Sequence, residues 1–96
     1  IIQRISRHIL FALGKVVTTK NAVEFMTQKC ITPFDLLHRH QHGDWGNLNE
    51  PDLEANEQAL IEDLRILSSY NFDKEKIWVI TEADRTLTTI LLPSDY

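Results

Sequence analysis

The spacing of apolar residues changes twice along this chain, and each change marks a change of element. Residues 9–18, ILFALGKVVT, are β-branched and apolar, which predicts a strand. Gly14 inside it predicts a bulge or a close backbone approach. After Thr18-Thr19, which offers an N-cap, the spacing becomes helical. In NAVEFMTQKC, Val23, Met26 and Cys30 fall on one face and Phe25 falls outside it. ITPFD starts a second helix: Thr32 caps, Pro33 takes the first helical position and Asp35 completes a capping box. Phe34 and Leu37 then face the core, with Leu36 beside them. Gly43 supplies a left-handed stop, because glycine takes positive φ without a Cβ clash. NLNEPD opens a third helix, with Asn49 or Glu50 as cap and Pro51 in the first turn. Leu53, Leu60, Leu64 and Leu67 make its apolar stripe, flanked by Ala59 and Ile61. Asn56 interrupts that stripe. A buried amide without partners costs about 1–3 kcal/mol, so Asn56 is expected to make a structural hydrogen bond to a nearby loop such as the GDWG turn.

In the last third the period drops to two. SSYNF, KIWVITE and TLTTILLP have strand composition, and DKEK and EADR have turn composition. Ile77, Val79 and Thr81 share one face of the middle strand, while Trp78, Ile80 and Glu82 share the other. TLTTILL pairs naturally with it as an antiparallel hairpin. The order β-α-α-α-β-β-β predicts an α+β domain, with three short helices packed on one face of a small, mainly antiparallel sheet.

Composition narrows the classes. A chain of 96 residues is the size of one domain, expected over residues 11–96; with no initiator Met, the expectation is either a truncated chain or an extension over residues 1–10 ahead of a start near Phe11. The first fifteen residues, IIQRISRHILFALGK, are apolar but broken by Arg4, Arg7 and His8. They are too short to span a bilayer and lack a signal-peptide cleavage pattern, so no membrane partner is expected. Cys30 stands alone and cannot form an intrachain disulfide, which fits a reducing, cytoplasmic setting. The net charge of −4 argues against tight non-specific nucleic-acid binding, yet leaves room for a small basic groove. Exposed edges of a small sheet would allow a homodimer.

Candidate chemistry concentrates in HRHQHGDWG, residues 38–46. His38 and His42 lie four apart on one helical face, and Asp44 could be a third zinc ligand. Arg39 and His40 fill the middle, however, so the pattern is not HExxH, and no metal or cofactor is assigned. Acid–base chemistry asks for less. Cleavage of RNA by its own 2′-hydroxyl needs a base, an acid and donors around the phosphate, and imidazole titrates near neutrality. His40 is the expected acid–base group, with His42 as the other candidate. Arg39 and Arg85 would hold phosphate through forked donors, and Thr88, Thr89 and Tyr70 would add hydrogen bonds. Asp44, Trp45 and Asn56 are supporting residues. A structural alternative stands beside this one. Trp45 plugs the core, Asp44 caps the segment after it, and the three histidines are partly exposed at a helix end, favoured there by the carbonyl dipole. The ITEADRTLTTILLP hairpin divides the same way, between a polar turn with an Arg85–carboxylate pair and the second wall of a cleft.

Two resemblances bear on function. From Phe11 onward, LLHRHQHGDWG, ANEQAL and WVITEADRTLTTILLPSDY resemble a family of small bacterial proteins labelled plasmid-related. That resemblance implies association with mobile elements. The order of Arg39-His40 with Gly43, a helix over residues 51–67 and TLTTILLP is also similar to the barnase–EndoU–colicin–RelE-like nucleases. It implies His40 as acid–base and Thr88 or Thr89 as a phosphate contact. The leading expectation is therefore a metal-independent ribonuclease or RNA-binding protein with a His/Arg/Thr cleft. The rival is a non-catalytic accessory or anti-defence factor that binds a bacterial protein through an acidic surface of Asp52, Glu54, Glu57, Glu62 and Asp63.

Overall fold

A computed structural model of the protein describes residues 8–96. Its elements follow the expected order: β1 (Lys15–Thr18), α1 (Lys20–Lys29), α2 (Pro33–Gln41), α3 (Glu50–Glu62), β2 (Ile66–Phe72), β3 (Glu75–Thr81) and β4 (Leu87–Leu91), then one 3-10 turn (Pro93–Asp95). The sheet runs β1-β4-β3-β2. Both hairpins, β2–β3 and β3–β4, are antiparallel, and β1 joins β4 in parallel. The three helices, with β2 and β3, form the long connection between these parallel strands. Of the N-terminal extension expected over residues 1–10, residues 1–7 lie outside the described residues. Leu10 is tied to the end of α2, its N–H donating to the Gln41 carbonyl at 2.9 Å.

The main core lies under α1 and α2. Ala22, Phe25, Met26, Leu36 and Leu37 pack on Tyr70, Ile77, Val79 and Ile90 of the sheet. A smaller cluster of Trp45, Ala59 and Ile66, with Phe11, Leu48, Leu53 and Leu60 against it, joins α3 to the start of β2. The outer edge of β2 is closed along its length. Asn56 pairs with both backbone groups of Leu67, at 2.6 and 3.1 Å. Ser69 donates to the Trp45 carbonyl and accepts from Asn47 N–H, and Asn71 N–H donates to the Asn47 side chain. Such devices keep a sheet edge from pairing with another chain.

Several local expectations need correction. The first strand is confined to Lys15–Thr18, because Gly14 turns the chain at φ +65 against the backbone of Thr86, where a Cβ would sit 2.4 Å from the carbonyl. In α1 the buried residues are Ala22, Phe25 and Met26. Val23 is exposed, and Cys30 is an exposed left-handed cap beyond the last turn. Phe25 turns inward because Phe72 at the end of β2 meets it edge-on, with ring centres 6.3 Å apart. In α2, Leu36 and Leu37 face the core, whereas Phe34 is 80 % exposed. The third helix stops at Glu62, where Asp63 takes φ 53. Leu64 is therefore linker and Leu67 is strand, even though both keep the helical spacing. Asn56 is structural as expected, but its partner is Leu67 in β2 and not the GDWG turn.

Candidate functional site

The two segments expected to form a cleft do meet, and they meet in a sealed polar core. His40 follows Leu36 by four residues and Leu37 by three, so α2 turns its imidazole inward with them. The ring has 0 % exposure. Nδ1 lies 2.5 Å from the Ser68 hydroxyl on β2, and Nε2 lies 2.9 Å from the Thr81 hydroxyl on β3. Thr81 is 2.8 Å from the Thr88 hydroxyl on β4, and Thr88 donates to the Leu13 carbonyl at 2.8 Å. That last bond sets the direction of the chain. Thr88 spends its proton on Leu13, so it accepts from Thr81, which in turn accepts from His40 Nε2–H. Nδ1 is left as an acceptor for the Ser68 proton. The ring is thus neutral, with its proton on Nε2 and both nitrogens satisfied. Phe11 and Trp45 close the rest of the cage edge-on, at 5.1 and 6.0 Å. Burial, with the Arg85 charge as a smaller cause, pushes the His40 pKa down to about 3.

The expected phosphate-holding residues are placed on other work. Arg85 sits in a left-handed turn at φ 61. Its Nη1 donates to the carbonyls of Leu64, Glu82 and Ala83, and its Nη2 to that of Ala59. It thereby closes the C-terminal end of α3 on the β3–β4 turn, replacing the expected carboxylate pair. Its guanidinium lies 5.6 Å from the Phe11 ring, which also meets His40 and Trp45. Arg39 forms a forked pair with Asp44, at 2.7 and 3.3 Å, and lies over the Tyr70 ring at 4.3 Å. The hydrogen bond to Asp44 raises the Arg39 pKa. Burial raises that of Tyr70, whose hydroxyl donates to the Asp44 carbonyl at 2.7 Å. Thr88 and Thr89 are neighbours on one strand and point to opposite faces, so only Thr88 joins the network.

The GDWG segment is a tight connector. Asp44 accepts from Gly46 N–H, and Trp45 is buried with its indole N–H donating to Glu57 at 2.9 Å. His42 Nδ1 donates to the His38 carbonyl at 2.6 Å, and the two rings lie 4.1 Å apart, 30° from parallel. Imidazole lone pairs lie in the ring plane, so this pair runs side by side and does not converge on one point. Among the described residues no group of three or more His, Cys, Asp or Glu side chains is gathered to hold a metal. The expectation of three partly exposed histidines is corrected for His40, which the helix period buries.

Sequence reasoning missed Ser68 and Thr81 as partners of His40. Thr81 shares a strand face with Ile77 and Val79, and that alternation is the signal that places it beside an inward histidine. It also missed an open hollow of about 560 Å³ between the GDWG turn and α3, bordered by Trp45, Leu53, Glu54, Glu57 and Ile61. Ile61 is 77 % exposed. No protein-family model matches the chain, and neither a curated protein nor a solved structure matches it.

Proposed function

We propose that this chain is a non-catalytic protein-binding module whose working surface is the acidic side of α3. The observation that carries the reading is the burial of His40: the best acid–base group has no nitrogen facing solvent, and both are hydrogen-bonded inside the fold. A general acid or base must reach the proton it moves. Arg85 spends its fork on backbone carbonyls, which removes the second half of a phosphate cleft. The helix EPDLEANEQALIE carries five carboxylates and no lysine or arginine. A negative surface of that kind repels phosphate and speeds association with a basic partner. An accessory or anti-defence role on a mobile element, acting on a bacterial protein in the cytoplasm, agrees with the plasmid-related resemblance.

The test pairs two assays. Purified protein is incubated with labelled single-stranded RNA from pH 5 to 8, and affinity capture from its native cells is followed by mass spectrometry. The expected results are intact RNA and one protein recovered by the wild type but lost with Glu54→Lys. RNA cleavage that disappears in a folded His40→Gln variant would refute the reading in favour of the ribonuclease.

A further inference from the structure

We infer that the hollow between the GDWG turn and α3 docks a peptide segment with an aliphatic anchor flanked by arginine or lysine. This rests on the binding-module reading and deepens it. Leu53, Glu57 and Ile61 follow at four-residue steps, so they line one face of α3 over two turns. Trp45 forms the opposing wall. Its indole N–H is fixed by Glu57 and its ring is stacked on Phe11 at 6.3 Å, so the wall is held before any ligand arrives. A volume of about 560 Å³ is that of a pocket able to take an anchoring group. Ile61, mostly exposed at the rim, adds apolar surface to the hollow beside Leu53 and Trp45.

Charge sets the flanks. Glu54 and Glu57 border the hollow, and Glu50 and Glu62 continue the same helix in both directions. A segment lying along α3 therefore meets carboxylates before and after its anchor. Guanidinium or ammonium groups there gain attraction without burial, and phosphate is repelled. An apolar centre with a charged rim is the usual anatomy of a binding hot spot.

The test is an NMR titration of the 96-residue chain with the synthetic heptapeptide Arg-Arg-Leu-Ala-Ile-Arg-Arg, up to millimolar concentration. The expected result is a shift of the Trp45 indole N–H and the Ile61 methyls, with other signals unmoved. Ile61→Asp, a surface change, should weaken binding about tenfold, as should raising the salt from about 50 to 500 mM. The same peptide with glutamate in place of arginine should not bind. Absence of any shift, equal binding by Ile61→Asp, or equal binding of both peptides overturns the inference. Binding seen only in an Arg4→Glu/Arg7→Glu chain would assign the hollow to the chain's own IIQRISR sequence and overturn it as well. A captured partner that still binds Ile61→Asp would sink the hollow while leaving the binding-module reading intact, whereas RNA cleavage would sink that reading itself.

Discussion

Mild acid should destabilise this protein through His40. In the folded state the ring is neutral, with a pKa of about 3, while in the unfolded chain it returns to an ordinary value near 6.5. Between those values the unfolded state binds the extra proton, so stability is complete above pH 6.5 and is lost as pH falls toward 3. From pH 7 to pH 5 the loss is about 2 kcal/mol, roughly a thirtyfold rise in the unfolding constant. For a domain near 100 residues that lowers the melting temperature by roughly 8–16 °C. The effect comes mainly from burial, which penalises the imidazolium, with the nearby Arg85 charge adding to it. Asp84 and Asp95 are held below the usual carboxylate range by hydrogen bonds from Thr86 and Thr19, so their losses begin at lower pH than this window. The assay is urea unfolding followed by tryptophan fluorescence, for wild type and His40→Gln, at pH 7, 6 and 5. Glutamine leaves one hydroxyl of the chain without a partner and should cost about 1–3 kcal/mol at pH 7. That gap should shrink by about 2 kcal/mol at pH 5, because only the wild type loses the linked term. A gap that stays constant across the three pH values would refute the buried neutral histidine, and nitrogen chemical shifts reporting the proton on Nδ1 would refute the hydrogen-bond direction assigned from Thr88.

Other substitutions test the rest of the frame. Thr81→Val keeps the shape but strands His40 Nε2–H and should cost about 1–3 kcal/mol in thermal melts. Asn56→Leu leaves both Leu67 backbone groups unpaired at the β2 edge. It should cost about 2 kcal/mol or more and speed hydrogen exchange at Leu67 N–H. Gly46→Ala combines φ +78 with a Cβ placed 2.1 Å from the Ser69 carbonyl oxygen, so a loss of at least about 2 kcal/mol is expected by urea unfolding. Phe34→Ser, at an exposed position, should leave stability within about 0.5 kcal/mol.

Strand period, turn chemistry and capping residues carried the order of elements, and that order holds throughout. Thr32 and Pro33 start α2 as their chemistry demands, and Ile77, Val79 and Thr81 share a buried face as alternation requires. Helix faces were harder to read. Leu64 and Leu67 continue the α3 spacing perfectly, yet Asp63 ends the helix in a left-handed turn that no glycine announces. Phe25 and Phe34 differ only in what tertiary partner each meets, and local spacing contains nothing about Phe72. For the site, His40 shares the i, i+3, i+4 arc of the buried leucines, so its inward direction was legible. Its partners come from β2 and β3, 28 and 41 residues on, and only the sheet register brings Ser68 and Thr81 to it.

Dense polar chemistry in HRHQHGDWG follows from how many elements that short stretch must tie together. Arg39 clamps Asp44 over Tyr70, His40 bridges β2 and β3, Gln41 donates to the Phe11 carbonyl, and Trp45 reaches Glu57 on α3. Apart from the Arg39–Asp44 pair inside the stretch, each bond crosses between segments that the small apolar clusters alone would join loosely. Buried polar groups satisfied in this way favour one arrangement over its neighbours, since every misplacement leaves a donor or acceptor unpaired. A motif so committed to internal partners is poorly suited to exchange them for a ligand. The side chains with freedom to meet a partner lie instead on plain sequence, at Glu54 and Ile61 of α3, where no motif draws the eye and where a change of charge or shape leaves the fold's own hydrogen bonds untouched.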